Sequence, residues 1–380
     1  MRRVAATSPA APGVLMVSKP VAPPWNDSGK KLAHDLAAHC PEINFRLLTT
    51  RGTTFPRDNM VAEAIYGAPG LYQPSLLQNA RVLLRLLRPD RVPIYHFFFA
   101  PNPRSSMIAR LALRLKRRRT VHTLCSRPLS FDEVADLMFA ERVVALSAHT
   151  RAALQAAGVS GVVHIPPGIP EAPPTSEATR QARREQLGLG NRPVVLYAGD
   201  YEFSGAARAV AEAAARVLNK HDARFIFACR NKQETSRNIK RHIQTELRAA
   251  GVAERVLFLD ECDDMPSLLG LADLHVQPAG CLYAKMDLPL VLLESLREGV
   301  PLVLANVPPL SELLEDDIGR GIPPEDGEAL AATIESLLAV PEERHRMSAN
   351  CRAVAGRRYG ARRMARDYAA LYEDLLREQP

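Results

Sequence analysis

From residue 14 onward, short apolar runs alternate with helical patterns, and the alternation breaks only once, at Pro166-Pro-Gly-Ile-Pro-Glu-Ala-Pro-Pro-Thr175. An apolar run of four to six residues is long enough for a buried strand and too short for a helix. Strands that alternate with helices fold into a parallel sheet with helices on both faces. In the first half the strands read at residues 14–17, 45–48, 94–99, 120–123, 142–146 and 162–165, with helices over 30–38, 76–87, 105–118 and 148–157. The pattern restarts at 193–198, and further strands follow near 224–228, 256–259, 274–277 and 302–305. A last helix over 359–376 carries Met364, Tyr368, Leu371 and Leu375 on one side. The chain therefore reads as an α/β protein with two doubly wound domains, at 14–170 and 191–358. A linker at 171–190 joins them, residues 1–13 form a disordered tail, and 359–380 form the closing helix. At 380 residues, each domain can bury a full core.

Composition narrows the class. With 47% hydrophobic and 24% charged residues, the chain has the make-up of a soluble globular protein. It contains no apolar run of the length that a membrane-spanning helix needs. Residues 1–13 hold charges but no apolar core, which argues against a signal peptide. The six cysteines are not paired at metal-ligand or redox spacing, so reduced thiols in a cytoplasmic protein are expected. Charge is distributed unevenly. Residues 1–170 hold 22 Lys and Arg against 10 Asp and Glu, while the rest of the chain is net acidic. The first half thus faces something anionic. Its arginines cluster at Arg81, Arg85, Arg88 and Arg91, and again from Arg110 to Arg119, beside Met107, Ile108, Leu111 and Leu115. That pattern is compatible with peripheral binding to anionic lipid, and equally with a solvated helix face. Nucleic acid is the poorer reading, because no aromatic residues are interleaved with the basic ones.

One stretch carries more chemistry than any other: Asp287-Leu-Pro-Leu-Val-Leu-Leu-Glu294-Ser-Leu-Arg-Glu-Gly299-Val-Pro301. It reads as a turn, a helix bearing one acid among leucines, and a Gly-Pro stop before the strand at 302–305. A lone carboxylate is costly to bury without a partner. Near a helix start it can accept hydrogen bonds from sugar hydroxyls, and the helix N-terminus beside it is a place for phosphate. The alternative is an ordinary amphipathic helix with Glu294 in solvent. The stretch resembles the donor-site signature of the family 4 glycosyltransferases, the retaining group with two Rossmann-like domains facing a cleft (the GT-B fold), in which a C-terminal helix crosses back to the first domain.

The resemblance implies a set of roles. Glu294 stands at the second acid of a Glu-x7-Glu motif and would bond the ribose hydroxyls. The first acid should fall at Met286, a departure; Asp287 is one place late and Lys285 one place early. They would contact donor-sugar hydroxyls and the diphosphate, or be solvated turn residues. Leu288 and Pro289 complete this donor turn. After the first strand of the second domain comes Gly199-Asp200-Tyr-Glu-Phe-Ser204-Gly205, where the family carries an Arg and a Lys for the leaving diphosphate. A developing negative charge needs positive counterparts, so Lys285, Arg230 and Lys232 are the candidates, with a solvated basic loop as the alternative for the last two. His122 would line the cleft near the reacting centre, and Arg127 would reach acceptor or donor phosphate. His96 would only cap or pack. Gly29 corresponds to the glycine turn between donor and acceptor, with Asp27 or Ser28 as a helix cap, and Trp25 could stack an acceptor. Asp263 and Asp264 lack a third ligand, and Asp264 reads as a helix cap. No bound metal and no cofactor are expected; the nucleotide-sugar is a substrate.

The expected activity is retaining transfer of a sugar from a nucleoside-diphosphate donor to an acceptor hydroxyl, on a glycan, a lipid-linked acceptor or a small molecule. The expected location is the cytoplasm, with the inner membrane face as a further site. Two rivals stand beside it: a nucleotide-sugar epimerase on the same fold, and a non-catalytic module that binds a glycan or a partner.

Overall fold

The computed structural model describes residues 13–67, 75–100, 102–114, 118–231, 233–262, 264–283 and 285–378. The expected tail at 1–13 lies outside these residues except for its last position. The chain divides into two units: 1–146, 150–168 and 361–380 form the first, and 147–149 with 169–360 form the second.

The first unit runs β1 (Gly13–Ser18), α1 (Ser28–Ala38), β2 (Asn44–Thr50), β3 (Met60–Tyr66), α2 (Leu76–Leu87), β4 (Ile94–Phe98), α3 (Pro103–Arg114), β5 (Arg119–Thr123), α4 (Val134–Leu137), β6 (Arg142–Ala145), α5 (Ala148–Ala156) and β7 (Val162–His164). Its seven strands are ordered β3-β2-β1-β4-β5-β6-β7 and all pair in parallel. The second unit runs α6 (Glu177–Gln186), β8 (Val194–Tyr197), α7 (Ala206–Leu218), β9 (Arg224–Ala228), α8 (Glu234–Ala249), β10 (Val256–Leu259), α9 (Met265–Leu269), β11 (Leu274–Gln277), α10 (Leu290–Glu298), β12 (Leu302–Ala305), β13 (Gly319–Ile322), α11 (Gly327–Ala339) and α12 (Pro341–Arg358). Its six strands are ordered β10-β9-β8-β11-β12-β13, again parallel. The last helix, α13 (Ala361–Arg377), belongs to the first unit.

Both sheets are doubly wound, as the alternation of runs predicts. Each has a switch point where the strand order reverses, between β1 and β4 and between β8 and β11. Ligands of such sheets bind in the crevice at the carboxyl ends of those strands. Two strands were absent from the sequence reading, and both are edges. β3 exposes Val61, Ala62 and Ala64, leaves Ile65 half-buried and includes Glu63; β13 is Gly-Arg-Gly-Ile. Edge strands are covered on fewer sides, so they need no apolar run to declare themselves. Within the expected linker, Ser176 caps α6 through the amide of Thr179 at 3.2 Å.

α13 docks through polar contacts inside an apolar wall. His96 Nδ1 lies 2.6 Å from the Tyr372 hydroxyl, its Nε2 lies 2.7 Å from Thr123 Oγ1, and Thr123 Oγ1 lies 2.8 Å from the Tyr368 hydroxyl. All four side chains are buried. His96 therefore packs, as the sequence reading expects.

Candidate functional site

In the second unit, chemistry gathers at the switch point. β8 ends at Tyr197 and the chain turns through Gly199 and Asp200 before entering α7. Gly199 is required by close approach: a Cβ there would stand 2.5 Å from the Tyr197 ring. Asp200 is buried and organises the loop. Its Oδ1 accepts from the amides of Glu202 at 3.0 Å and Phe203 at 2.9 Å, and its Oδ2 forms a 2.6 Å ion pair with Lys285 Nζ. Lys285 comes from the loop that follows β11, the strand next to β8. The two loops flanking the switch point are thus tied by one buried ion pair. α7 starts at Gly205 with no side-chain cap.

The segment after β11 continues into Asp287, Leu288 and Pro289, the last preceding α10. Asp287 is 2% exposed, and its carboxylate accepts from the hydroxyl of Ser147 at 2.8 Å, a residue counted with this unit. Leu288 is buried too. Glu294, in the second turn of α10, is 7% exposed, so it does not point to solvent as an ordinary amphipathic helix would place it. α10 stops at Gly299, whose φ of 80° is one that only glycine adopts cheaply. Arg230 lies half-buried just past β9 and has no ion-pair partner among the described residues. Lys232 lies outside the described residues, as does Asp263. Asp264 caps α9 through the amide of Ser267 at 3.2 Å.

A buried histidine unremarked in the sequence holds these parts together. His275 Nε2 faces the amide of Ala198 at 3.4 Å, so it accepts and the ring proton sits on Nδ1. Nδ1 lies 2.6 Å from Ser295 Oγ, which donates in turn to the carbonyl of Val291 at 3.0 Å. One chain of donors therefore links the β8 loop, β11 and α10. Burial pushes the His275 pKa down to about 3, which keeps the ring neutral. The sequence signal was a single His inside the apolar strand Leu274-His-Val-Gln277, which by itself does not separate a structural residue from a ligand.

In the first unit, His122 is fully buried in β5. Its ring packs against Phe99 and Phe139, both centroids at 4.9 Å, and those two rings stack on each other at 5.8 Å. Nε2 faces the carbonyl of Phe99 at 3.0 Å and must donate, and the Nδ1 lone pair is buried without a partner. Burial lowers its pKa to about 4, against the pull of that carbonyl. At neutral pH this ring offers an acceptor. Asp27 takes the cap of α1, bonding the amides of Gly29 at 3.0 Å and Lys30 at 3.2 Å, and pairs with Lys19 at 2.6 Å. The Gly29 amide is therefore already engaged. Trp25 is partly exposed with its ring 4.5 Å from His34, and the Arg127 guanidinium lies over Phe131 at 5.5 Å. Trp25, Gly29, Arg127 and His122 thus lie in the first unit, and Gly199, Arg230, Lys285, Asp287, Leu288, Pro289 and Glu294 in the second.

Comparison with known proteins bears on this arrangement. Residues 179–354 match the family model described as glycosyl transferases group 1. An alpha-D-kanosaminyltransferase of Streptomyces kanamyceticus is 28% identical over 205 residues, covering 53% of this chain and 50% of the relative. The lipopolysaccharide core biosynthesis mannosyltransferase LpsB of Rhizobium meliloti (strain 1021) is 32% identical over 134 residues, 34% of this chain and 36% of the relative. The chain thus spans half the length or less of these curated relatives. Among solved structures, Anabaena HepE in complex with UDP and glucose superposes with a TM-score of 0.76 at 19% identity, covering 95% of this chain and 99% of that one. At that identity the likeness speaks for the fold, two Rossmann-like units of the GT-B class.

Proposed function

We propose that this chain, whose residues 179–354 match the model of the group 1 glycosyl transferases, is a transferase of the family 4 type that moves a hexosyl group from a nucleoside-diphosphate sugar to an acceptor hydroxyl with retention of configuration. The observation that carries the reading is Glu294, a carboxylate 7% exposed on a helix that opens beside the loops of a switch point. A carboxylate there is matched to vicinal hydroxyls of a ribose. Lys285 and Arg230 supply positive charge for the diphosphate, aided by the uncapped N-terminus of α7. The family resemblance assigns Asp287 of the second unit and His122 of the first to the donor sugar, and the acceptor that His122 would offer a hydroxyl is Nδ1. Gly199, Leu288 and Pro289 shape the donor turn. In the reaction the bond between anomeric carbon and diphosphate oxygen breaks, and the acceptor oxygen bonds that carbon on the same face. The acceptor proton passes to the departing diphosphate. Basic side chains and helix dipoles do this work without a bound metal. Arg127 and Trp25 stand on the acceptor side, and Gly29 borders both substrates. The acceptor is a glycan, lipid-linked sugar or small glycoside precursor, and the basic first unit favours one presented at an anionic surface of the cytoplasm.

Calorimetric titration with UDP, GDP, dTDP and ADP tests the donor site. Micromolar binding of one nucleotide, lost in Glu294→Ala, is the expected result, and UDP is the first ligand to try. No binding to any of the four overturns it. A second reading rests on Asp200, whose carboxylate neutralises Lys285: a non-catalytic module on the same fold. Nucleotide binding without turnover across an acceptor panel would favour it, and donor turnover without an acceptor would favour an epimerase.

A further inference from the structure

We propose that the outer face of α2 and α3 docks this protein on an anionic bilayer, with an arginine-lined pocket beside α2 receiving phospholipid headgroup phosphates. The inference extends the membrane reading of the first unit and does not depend on the donor site.

Along α2, Leu77, Arg81 and Leu84 follow at spacings of four and three, which places them on one stripe, and Arg88 is the C-cap that ends the helix. Leu77 is 62% exposed and Leu84 67%. On α3, which packs against α2, Met107 and Leu111 are each 64% exposed, one and two turns past the exposed Arg104. Neither helix contains an acidic residue. Between α2 and the edge strand β3 opens a cavity of about 710 Å³, walled by Ile65 and Leu84 and reached by Arg51, Arg81, Arg85 and Arg88. Arg85 is committed elsewhere, to Asp90 at 2.6 Å and to Glu63. Arg51 and Arg81 have no carboxylate partner among the described residues.

The combination decides the occupant. A solvated helix face does not need large leucines that stay two-thirds exposed. A soluble anion would satisfy the arginines and leave the leucines in water, and an apolar protein partner would do the reverse. A bilayer takes both: leucine and methionine enter the acyl boundary while guanidinium groups bond phosphates at its surface.

The test is sedimentation of the full chain with sucrose-loaded vesicles at near-physiological ionic strength. Binding is expected to vesicles containing phosphatidylglycerol and not to pure phosphatidylcholine. The triple variant Arg51→Gln, Arg81→Gln, Arg88→Gln should lose about 100-fold in vesicle affinity, roughly fivefold per arginine. A control that removes equal charge from α8, Arg237→Gln, Arg241→Gln, Arg248→Gln, should lose less than about threefold. Unchanged thermal midpoints show that both variants fold. Leu84→Asn should weaken binding with charge intact. Equal losses in the two triples, or no preference for phosphatidylglycerol, would overturn the proposal. So would tight binding of inorganic phosphate without vesicle binding, which would make the pocket a site for a free anion.

Discussion

Asp200 is committed by its own loop before any ligand enters. One carboxylate oxygen caps two backbone amides and the other faces Lys285 at 2.6 Å. Replacement by Asn keeps the capping oxygen and removes the charge, so Asp200→Asn isolates the electrostatic part. If Lys285 meets the donor diphosphate, freeing its ammonium should tighten UDP binding by about tenfold, about 1.4 kcal/mol. Lys285→Met should weaken it by a similar factor. Titration calorimetry reads both, and an Asp200→Asn variant with unaltered affinity would take Lys285 out of the phosphate site. The sequence exposed each residue singly, Asp200 as a departure from the family pattern and Lys285 as a stray cation. Their pairing was hidden because the crossover from β8 through β9 and β10 to β11 separates them along the chain and brings them together in space.

At the scale of elements, α10 is the part whose position matters most, since it carries Glu294. It is anchored on β11 through His275 and Ser295. Ser295→Ala leaves the His275 Nδ1 proton buried with no acceptor, which costs about 1–3 kcal/mol. Urea unfolding should report that loss, and nucleotide affinity should fall with it because α10 is released from β11. A stability loss with unchanged affinity would show that α10 is held by its leucines alone. The helices and central strands were legible from periodicity because they bury apolar faces. β3 and β13 were not, since an edge can contain Glu63 or Arg320 at little cost. The burial of Glu294 was half-legible: an acid among leucines poses the question, and only the packed helix answers it.

Across the whole molecule, both units bury neutral histidines, and this fixes how it meets acid. His96 and His122 lie in the first unit and His275 in the second, all fully enclosed. Burial holds His96 well below the ordinary imidazole range, with His122 adding to the effect; His122 sits at about 4 and His275 at about 3. In the unfolded chain each titrates near its ordinary value of about 6.5. The unfolded state thus binds protons first, and stability from these groups is complete above about pH 6.5 and drains away as pH falls toward 4 and below. For His122 alone the loss at pH 5 is about 2 kcal/mol. His96 carries a second consequence, because protonation would force a charge into the contacts with Tyr372 and Thr123 that dock α13. Thermal unfolding followed from pH 7.5 to 4.5 should show a midpoint that is flat at first and then falls steadily below about 6.5. His122→Phe, which keeps an aromatic ring packed against Phe99 and Phe139, should flatten that fall while abolishing any contribution of Nδ1 to donor binding. A midpoint independent of pH down to 4.5 would mean that these rings are reached by water and are not held neutral.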